Sequence, residues 1–285
     1  MSKIYYGDMP EEFSLYETSK IVILPIPYDG TSTWIKGADK GPQAIIDASD
    51  SIELYDIETG KEVYKFGIHT APPIDAFETP EIMVEAAYQR AKKYLNDDKY
   101  LVTIGGEHSV SCGVIKAFSE KFEKLTILQI DAHADLRDDY HGSIYNHACV
   151  MRRAQDFGKV VQVGIRSMCI EEKPNMIREN MFFSHEIRNN PNWMIDVVAQ
   201  LGENVYLSID LDGFDPSVIP STGTPEPGGL TWWQVTDLIK LVNQRCQVVG
   251  FDVVELCPNP ADKSSDLAAS KLVYQILSQR FRWNY

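Results

Sequence analysis

Asp131-Ala132-His133-Ala134-Asp135 carries three side chains of metal-binding type at every second position. In an extended segment alternate side chains share a face, so the three would point the same way. The apolar run before it, LTILQI from Leu125, reads as a strand and puts the group at that strand's carboxyl end. Other apolar runs end comparably: YLVTI in Gly105-Gly106-Glu107-His108-Ser109, VYLSI in Asp210-Leu211-Asp212, and QVVGFDVV in Glu255. The paired glycines let the backbone turn tightly and present His108 over the sheet edge.

Taken singly, an Asp or His at a strand end is more often a turn former or helix cap. Four carboxylates together change the balance. Asp131, Asp135, Asp210 and Asp212 would repel one another on a shared rim unless a cation neutralised them. Two imidazoles and four carboxylates exceed the needs of one ion, yet suit two ions sharing carboxylates at roughly 3.5–4 Å separation. Hard oxygen with imidazole and no thiolate favours Mn²⁺, or octahedral Fe²⁺ and Mg²⁺, over structural zinc, and the histidines argue against Ca²⁺. Two Mn²⁺ per chain is the expectation, with His108, Asp131, His133, Asp135, Asp210 and Asp212 as ligands.

The elements that would position these residues are legible as short apolar runs. They begin at Ile21, Lys65, Tyr100, Leu125, Val160, Met181, Val205 and Gln247, giving eight candidate strands. Helical patterns lie between them, at PEIMVEAAYQRAKKYL from Pro80, WMIDVVAQL from Trp193 and DLAASKLVYQIL from Asp266. Strands buried on both faces and alternating with helices predict a parallel sheet covered on either side, an α/β fold. In such sheets ligands bind beyond the carboxyl ends of the strands, which is where the ligating residues fall. No linker-like stretch divides the chain, and no repeat of about 20–50 residues is visible.

Composition narrows the partners. The 285 residues carry 41 Asp+Glu against 27 Lys+Arg, a net charge of −14. With no basic stripe to offset that field, nucleic acid is an unfavourable partner and a small cation a favourable one. Five cysteines (Cys112, Cys149, Cys169, Cys246, Cys257) with no CxxC pair read as reduced thiols. The N-terminus has no apolar stretch behind its one Lys, and no window approaches about 18 consecutive apolar residues. The expectation is a cytoplasmic protein with no membrane span.

Three of these segments, Gly105-Gly106-Glu107-His108-Ser109, Asp131-Ala132-His133-Ala134-Asp135 and Ser208-Ile209-Asp210-Leu211-Asp212-Gly213-Phe214-Asp215-Pro216-Ser217, resemble in order and spacing the signature segments of the ureohydrolases, the arginase and agmatinase family. Thr222-Gly223-Thr224-Pro225, Gly228-Gly229-Leu230-Thr231 and Asp252-Val253-Val254-Glu255 resemble further family segments, so the likeness runs along nearly the whole chain. It implies one ureohydrolase domain over residues 1–285, with a three-layer α/β/α fold around an eight-stranded, mostly parallel sheet. It also implies a dimanganese centre that hydrolyses a guanidinium group to an amine and urea.

Carried over by the resemblance, His108, Asp131, Asp135 and Asp210 would bind one Mn²⁺, and Asp131, His133, Asp210 and Asp212 the other. Asp131 and Asp210 would bridge. A water held between two cations loses a proton readily, giving a hydroxide to attack the guanidinium carbon. His147 resembles the family's proton shuttle, although Asn146 as N-cap of a helix starting there is a structural alternative. Glu255 would make a charge-assisted contact that orients the guanidinium. The resemblance also implies a homo-oligomer, trimer or hexamer.

The substrate tail is read from two departures. Arginases use neutral groups in the loop Leu136 to Asn146 to hold an α-carboxylate, which Asp138 and Asp139 would repel unless Arg137 masks them. Ser167 and Cys169 stand where arginases carry acidic residues. The stretch from Asp135 to Asp138 with Asn146 to Arg153 resembles prokaryotic agmatinases. The expected substrate is therefore agmatine, cleaved to putrescine and urea, with Asp138, Asp139 or Glu171 receiving the tail ammonium. Aminopropylagmatine, guanidinobutyrate and formiminoglutamate are the alternatives within the family. A non-catalytic metal-binding paralogue and a mononuclear zinc deacetylase on a related sheet are less favoured, because all six ligands are present.

Overall fold

The computed structural model describes residues 5–75 and 77–282. The first four positions of the N-terminal segment read above, and both ends of the expected domain, lie outside these residues. Each of the eight apolar runs forms a strand: β1 (Ile21–Ile26), β2 (Ile68–Thr70), β3 (Tyr100–Gly105), β4 (Thr126–Ile130), β5 (Lys159–Ile165), β6 (Met181–Phe183), β7 (Asn204–Asp210) and β8 (Gln247–Val254). They form one sheet in the order β2-β1-β3-β8-β7-β4-β5-β6, with every neighbouring pair parallel.

Helices α1 (Gly41–Ala48), α2 (Pro80–Asn96), α3 (Ser111–Lys121), α4 (Val150–Ala154), α5 (Ser184–Ile187), α6 (Trp193–Ala199), α7 (Trp232–Arg245) and α8 (Ser264–Phe281) make the connections. Alternating strand residues feed two cores. Ile21 and Ile23 pack with Ile45, Leu238 and Leu272 of α1, α7 and α8, while Val22 and Leu24 pack with Met83, Phe118 and Met151 of α2, α3 and α4. The result is the expected three-layer α/β/α arrangement. Of the helical patterns, those at Pro80 and Trp193 begin where expected, and α8 begins two residues earlier than the pattern at Asp266. Helix α3 escaped the sequence reading because Gly113 interrupts its apolar face. A Cβ there would sit 2.1 Å from the Val84 carbonyl oxygen, so glycine is what lets α3 lie close against α2. Among the described residues no helix is long and apolar enough to cross a membrane.

The strand order sets the site. After β3 the chain crosses to β4, builds outward through β5 and β6, then returns to lay β7 and β8 between β4 and β3. The carboxyl ends of β3, β8, β7 and β4 are thus consecutive neighbours, and the four ligand-bearing segments emerge side by side. Gly106 seals one corner. Its N–H donates to Ile26 O at 2.8 Å and its carbonyl accepts from Glu255 N at 2.7 Å. A Cβ on Gly106 would lie 2.0 Å from the Tyr28 carbonyl oxygen, backbone that cannot swing aside. Gly106→Ala should therefore destabilise the fold by about 2 kcal/mol or more, the range of an overpacked core position. A lowered urea midpoint with an unchanged slope checks this.

Candidate metal centre and its cavity

Two groups of ligand atoms lie beyond these strand ends, His108 with Asp131 and Asp135, and Asp131 with His133 and Asp212. Within each group the atoms are within 4.8 Å of one another. His108 Nδ1 is 3.1 Å from Asp131 Oδ2, 3.1 Å from Asp135 Oδ2 and 3.4 Å from Asp210 Oδ2. His133 Nδ1 is 3.0 Å from Asp212 Oδ2 and 3.6 Å from Asp131 Oδ1. Asp131 therefore turns one oxygen to each group. Asp210 turns Oδ2 to the first group, while its Oδ1 accepts from Asp212 N at 2.8 Å.

Local backbone brings the set together by means other than simple alternation. Asp135 does not continue an extended segment, since its φ of +53° is left-handed and turns the chain toward His108. Asp212 sits one residue into a 3₁₀ turn, Leu211–Gly213, capped by Asp210. Glu255 is left-handed too, at φ +66°. Buried polar side chains hold the ligands from behind. Asp252 accepts from Ser208 Oγ at 2.9 Å and Tyr206 OH at 2.7 Å, and Ser208 Oγ meets His108 Nε2 at 2.8 Å. Gln129 Nε2 donates to Asp131 Oδ2 at 2.6 Å, and Gln162 Nε2 donates to Gln129 Oε1 at 2.6 Å.

The electrostatics call for a cation. His108 Nδ1 is buried and makes no hydrogen bond, although three carboxylate oxygens surround it. Burial, then the charge of Asp131, pushes Asp135 up to about 7. Burial, then Asp212 and Asp131, pushes Asp210 well above the carboxylate range. Burial would raise Asp131 as well, but His108 and His133 outweigh it and hold that carboxyl low. Burial would lower the two imidazoles, and the surrounding carboxylates raise both instead. Oxygen-rich donors with imidazole and no thiolate fit hard divalent ions.

These groups floor a cavity of about 300 Å³, which His147 and Glu255 also line. His147 opens a 3₁₀ turn in which Asn146 accepts from Ala148 N at 3.1 Å, so the capping and cavity positions coexist. Burial, then the charge of His133 and His108, lowers its imidazole to about 4. Glu255 Oε1 accepts from His108 N at 2.7 Å. Burial, then the Glu107 carboxylate, pushes Glu255 well above its usual range.

The expected tail residues fare differently. Asp138 and Asp139 do not line the cavity. Asp138 is 67% exposed and ion-paired with Arg152 at 3.0 Å, and Asp139 is exposed outside the cavity. Glu171 is also outside the lining, but it is bonded with Cys169, which does line it. That hydrogen bond first, with Arg137 adding, holds the Glu171 carboxyl below its usual range. The outer wall instead contains Trp34, Ile35, Arg137, Tyr140 and Met168. The Arg137 guanidinium lies over the Tyr140 ring, 4.5 Å from its centroid. Sequence patterns alone assign no individual role to Thr31, Trp34, Glu107, Gln129, Gln162 or Ser208. For the glutamines there was a signal, because an amide inside a wholly buried strand must have a partner.

A parallel α/β sheet whose central strand ends gather two carboxylate–imidazole groups around one shared aspartate defines a class of protein suited to two adjacent divalent cations. A family model described as Arginase family matches residues 19–278, and the chain belongs to that family. It is 38% identical to an N(1)-aminopropylagmatine ureohydrolase of Synechocystis, covering 94% of this chain and 91% of that protein. It is 34% identical to an agmatinase of Pyrococcus horikoshii, covering 92% of each. The agmatine ureohydrolase structure of Thermoplasma volcanium superposes with a TM-score of 0.88 at 30% identity, over 99% of this chain and 95% of that one. The chain is an arginase-family ureohydrolase, a hydrolase acting on guanidino compounds.

The support behind His108 gives a direct test. Ser208→Ala leaves His108 Nε2 without its partner, and loss of such a contact typically costs about 10-fold or more in metal affinity. Calorimetric titration of the metal-free protein with Mn²⁺ should show that loss with the fold intact by circular dichroism.

Proposed function

We propose that the chain releases urea from an amine-terminated guanidino alkane, agmatine or its N1-aminopropyl derivative, with two Mn²⁺ bound by His108, Asp131, His133, Asp135, Asp210 and Asp212. The observation carrying this reading is the cavity floor, where a buried carboxylate and an imidazole flank the two ligand groups. When bound, the two ions supply Lewis acidity that lets a shared water lose its proton near neutral pH. Asp131, which turns one oxygen to each ligand group, and Asp210 would be the carboxylates held in common.

Glu255 uses Oε1 on the His108 N–H, which leaves Oε2 for the guanidinium N–H groups. The guanidinium and the ions supply the opposite charge that keeps this buried carboxyl ionised. Held in this way, the planar carbon presents a face to the attacking water instead of tumbling in the cavity. His147, neutral at pH 7, accepts the proton that water gives up and passes it to the departing nitrogen. The tail leaves as a primary amine carrying the proton from His147, and the water oxygen becomes the urea carbonyl oxygen. The second proton of that water, released as the carbonyl forms, converts the amine to its ammonium.

At the outer wall the alkyl stem runs against Trp34 and Ile35, and the terminal ammonium meets the Trp34 face, with Glu171 just beyond the lining beside Cys169. Between the two amines, the extended one has more chain to place against this wall, and the names of the relatives in Synechocystis and Thermus thermophilus favour it. Agmatine itself is the reading favoured by the relative in Pyrococcus horikoshii. A cytoplasmic homo-oligomer, trimer or hexamer, belongs to the same proposal.

Urea release from N1-aminopropylagmatine, agmatine, arginine and 4-guanidinobutyrate, with Mn²⁺, separates the readings, because the four share a guanidinium and differ only beyond it. The two amines should exceed arginine and guanidinobutyrate in kcat/KM by about tenfold or more, as expected where a charged tail meets an unlike partner. Preference for either carboxylate would make Arg137 the tail receptor and end the amine reading. His147→Ala should lower kcat by about 10²–10⁴, the usual share of general acid–base catalysis, with metal content and KM little changed. Wild-type turnover in that variant would leave His147 only its place beside the Asn146 cap.

A further inference from the structure

Glu107 stands between the glycine turn and His108, fully buried, yet its hydrogen bonds go elsewhere than to the metal ligands. It accepts from Thr31 N at 2.5 Å, Thr31 Oγ1 at 2.6 Å and Ser32 Oγ at 3.4 Å, with Ser109 Oγ a fourth donor. Thr31 is the link to the cavity. Its Oγ1 accepts from His147 N at 3.0 Å and lies 3.1 Å from His147 Nδ1.

A hydroxyl has one hydrogen to give. With that hydrogen on Glu107 Oε1, Thr31 Oγ1 offers His147 only lone pairs, and Nδ1 can bond to it only by carrying a hydrogen itself. The opposite tautomer would set the Nδ1 lone pair against those of Oγ1. We propose that Glu107 and Thr31 are positioning residues that hold neutral His147 as the Nδ1–H tautomer, leaving Nε2 as the lone pair that serves the cavity. The proposal rests on the reading of His147 as proton carrier and assigns the atom that does it. The proton leaves the attacking water, bonds to Nε2, and moves from Nε2 to the departing nitrogen, while Nδ1 keeps its hydrogen throughout. In the Nε2–H tautomer the nitrogen serving the cavity would have no lone pair to receive it.

The assignment can be read without activity. In ¹⁵N-histidine-labelled protein loaded with diamagnetic Mg²⁺, long-range proton–nitrogen correlation distinguishes the two ring nitrogens, and the His147 resonances are those lost in His147→Ala. Nδ1 should be protonated and Nε2 bare in the wild type and in Thr31→Ser, and Thr31→Val should lose that preference. With Mn²⁺, Thr31→Val should lower kcat by about 10- to 100-fold, part of the range general acid–base catalysis supplies, at unchanged KM and metal content. Thr31→Ser should restore it. In the His147→Ala background, Thr31→Val should cost nothing further. A wild-type protein with Nε2 protonated would overturn the proposal, as would wild-type turnover in Thr31→Val or an equal loss in the His147→Ala background. Full activity in His147→Ala would instead overturn the proton-carrier reading, and the nitrogen spectrum would still decide the tautomer.

Discussion

The structure is organised around negative charge that has been taken out of water. Glu107, Asp131, Asp135, Asp210, Asp212, Asp252 and Glu255 are each no more than 8% exposed, and all gather around the carboxyl ends of the central strands. Burying a carboxylate is costly unless donors or cations replace its hydration. The chain meets this demand in two ways. Glu107 and Asp252 are satisfied by neutral donors, from Thr31, Ser32 and Ser109 for the first and from Tyr206 and Ser208 for the second. Asp135, Asp210 and Glu255 are not satisfied to the same degree, and these are carboxyls whose protons burial and neighbouring charge hold most firmly. The contrast sets two acids met by neutral donors beside three that a cation would relieve.

Bringing the second set together requires the backbone to depart from regular structure where the sheet ends. Asp135 and Glu255 both adopt left-handed φ, which for a residue with a side chain costs of order 1–3 kcal/mol and persists only where the surroundings over-determine it. They do so here. The Asp135 carbonyl accepts from Met151 N and Arg152 N, and the Glu255 N–H is fixed on Gly106. Arg166 ties the neighbouring loops by donating to the carbonyls of Gly164, Asp212, Phe214 and Glu226. A guanidinium used in this way aligns backbone rather than pairing with a carboxylate, and it holds the Asp212 turn against the end of β5.

Most of the sheet was legible because a parallel strand covered on both faces must be apolar throughout, so eight runs sufficed for eight strands. The six candidate ligands were legible because strand ends are where such sheets place chemistry. What escaped was polar residues inside apolar runs and contacts distant in sequence. Gln129, Gln162 and Ser208 look like interruptions of strands, yet Gln129 and Ser208 support candidate ligands and Gln162 holds Gln129. Thr31 lies 116 residues from the histidine it touches, and nothing local marks it. The tail aspartates lie outside the cavity lining for a reason the sequence did not display. Their charge was counted without their partners, and Arg152, 14 residues on, takes Asp138 for itself.

Floor and wall of the cavity consequently work at different strengths. On the floor, charges meet in a medium that screens them poorly, so a misplaced atom is felt in full and the residues are locked by second partners. At the wall, Trp34 is 75% exposed and Glu171 stands in solvent. A cation over an exposed aromatic face gains only about 0.5–1 kcal/mol, and an ion pair in water is largely screened. One kcal/mol is about a fivefold ratio, so selection among tails of the same charge must come from modest increments of contact along the stem rather than from one decisive pair. The guanidinium end admits no such latitude. In the proposed reading, chemistry fixed at depth and recognition graded at the rim would let one floor serve tails of different length, with the side chains of the outer wall setting the order of preference.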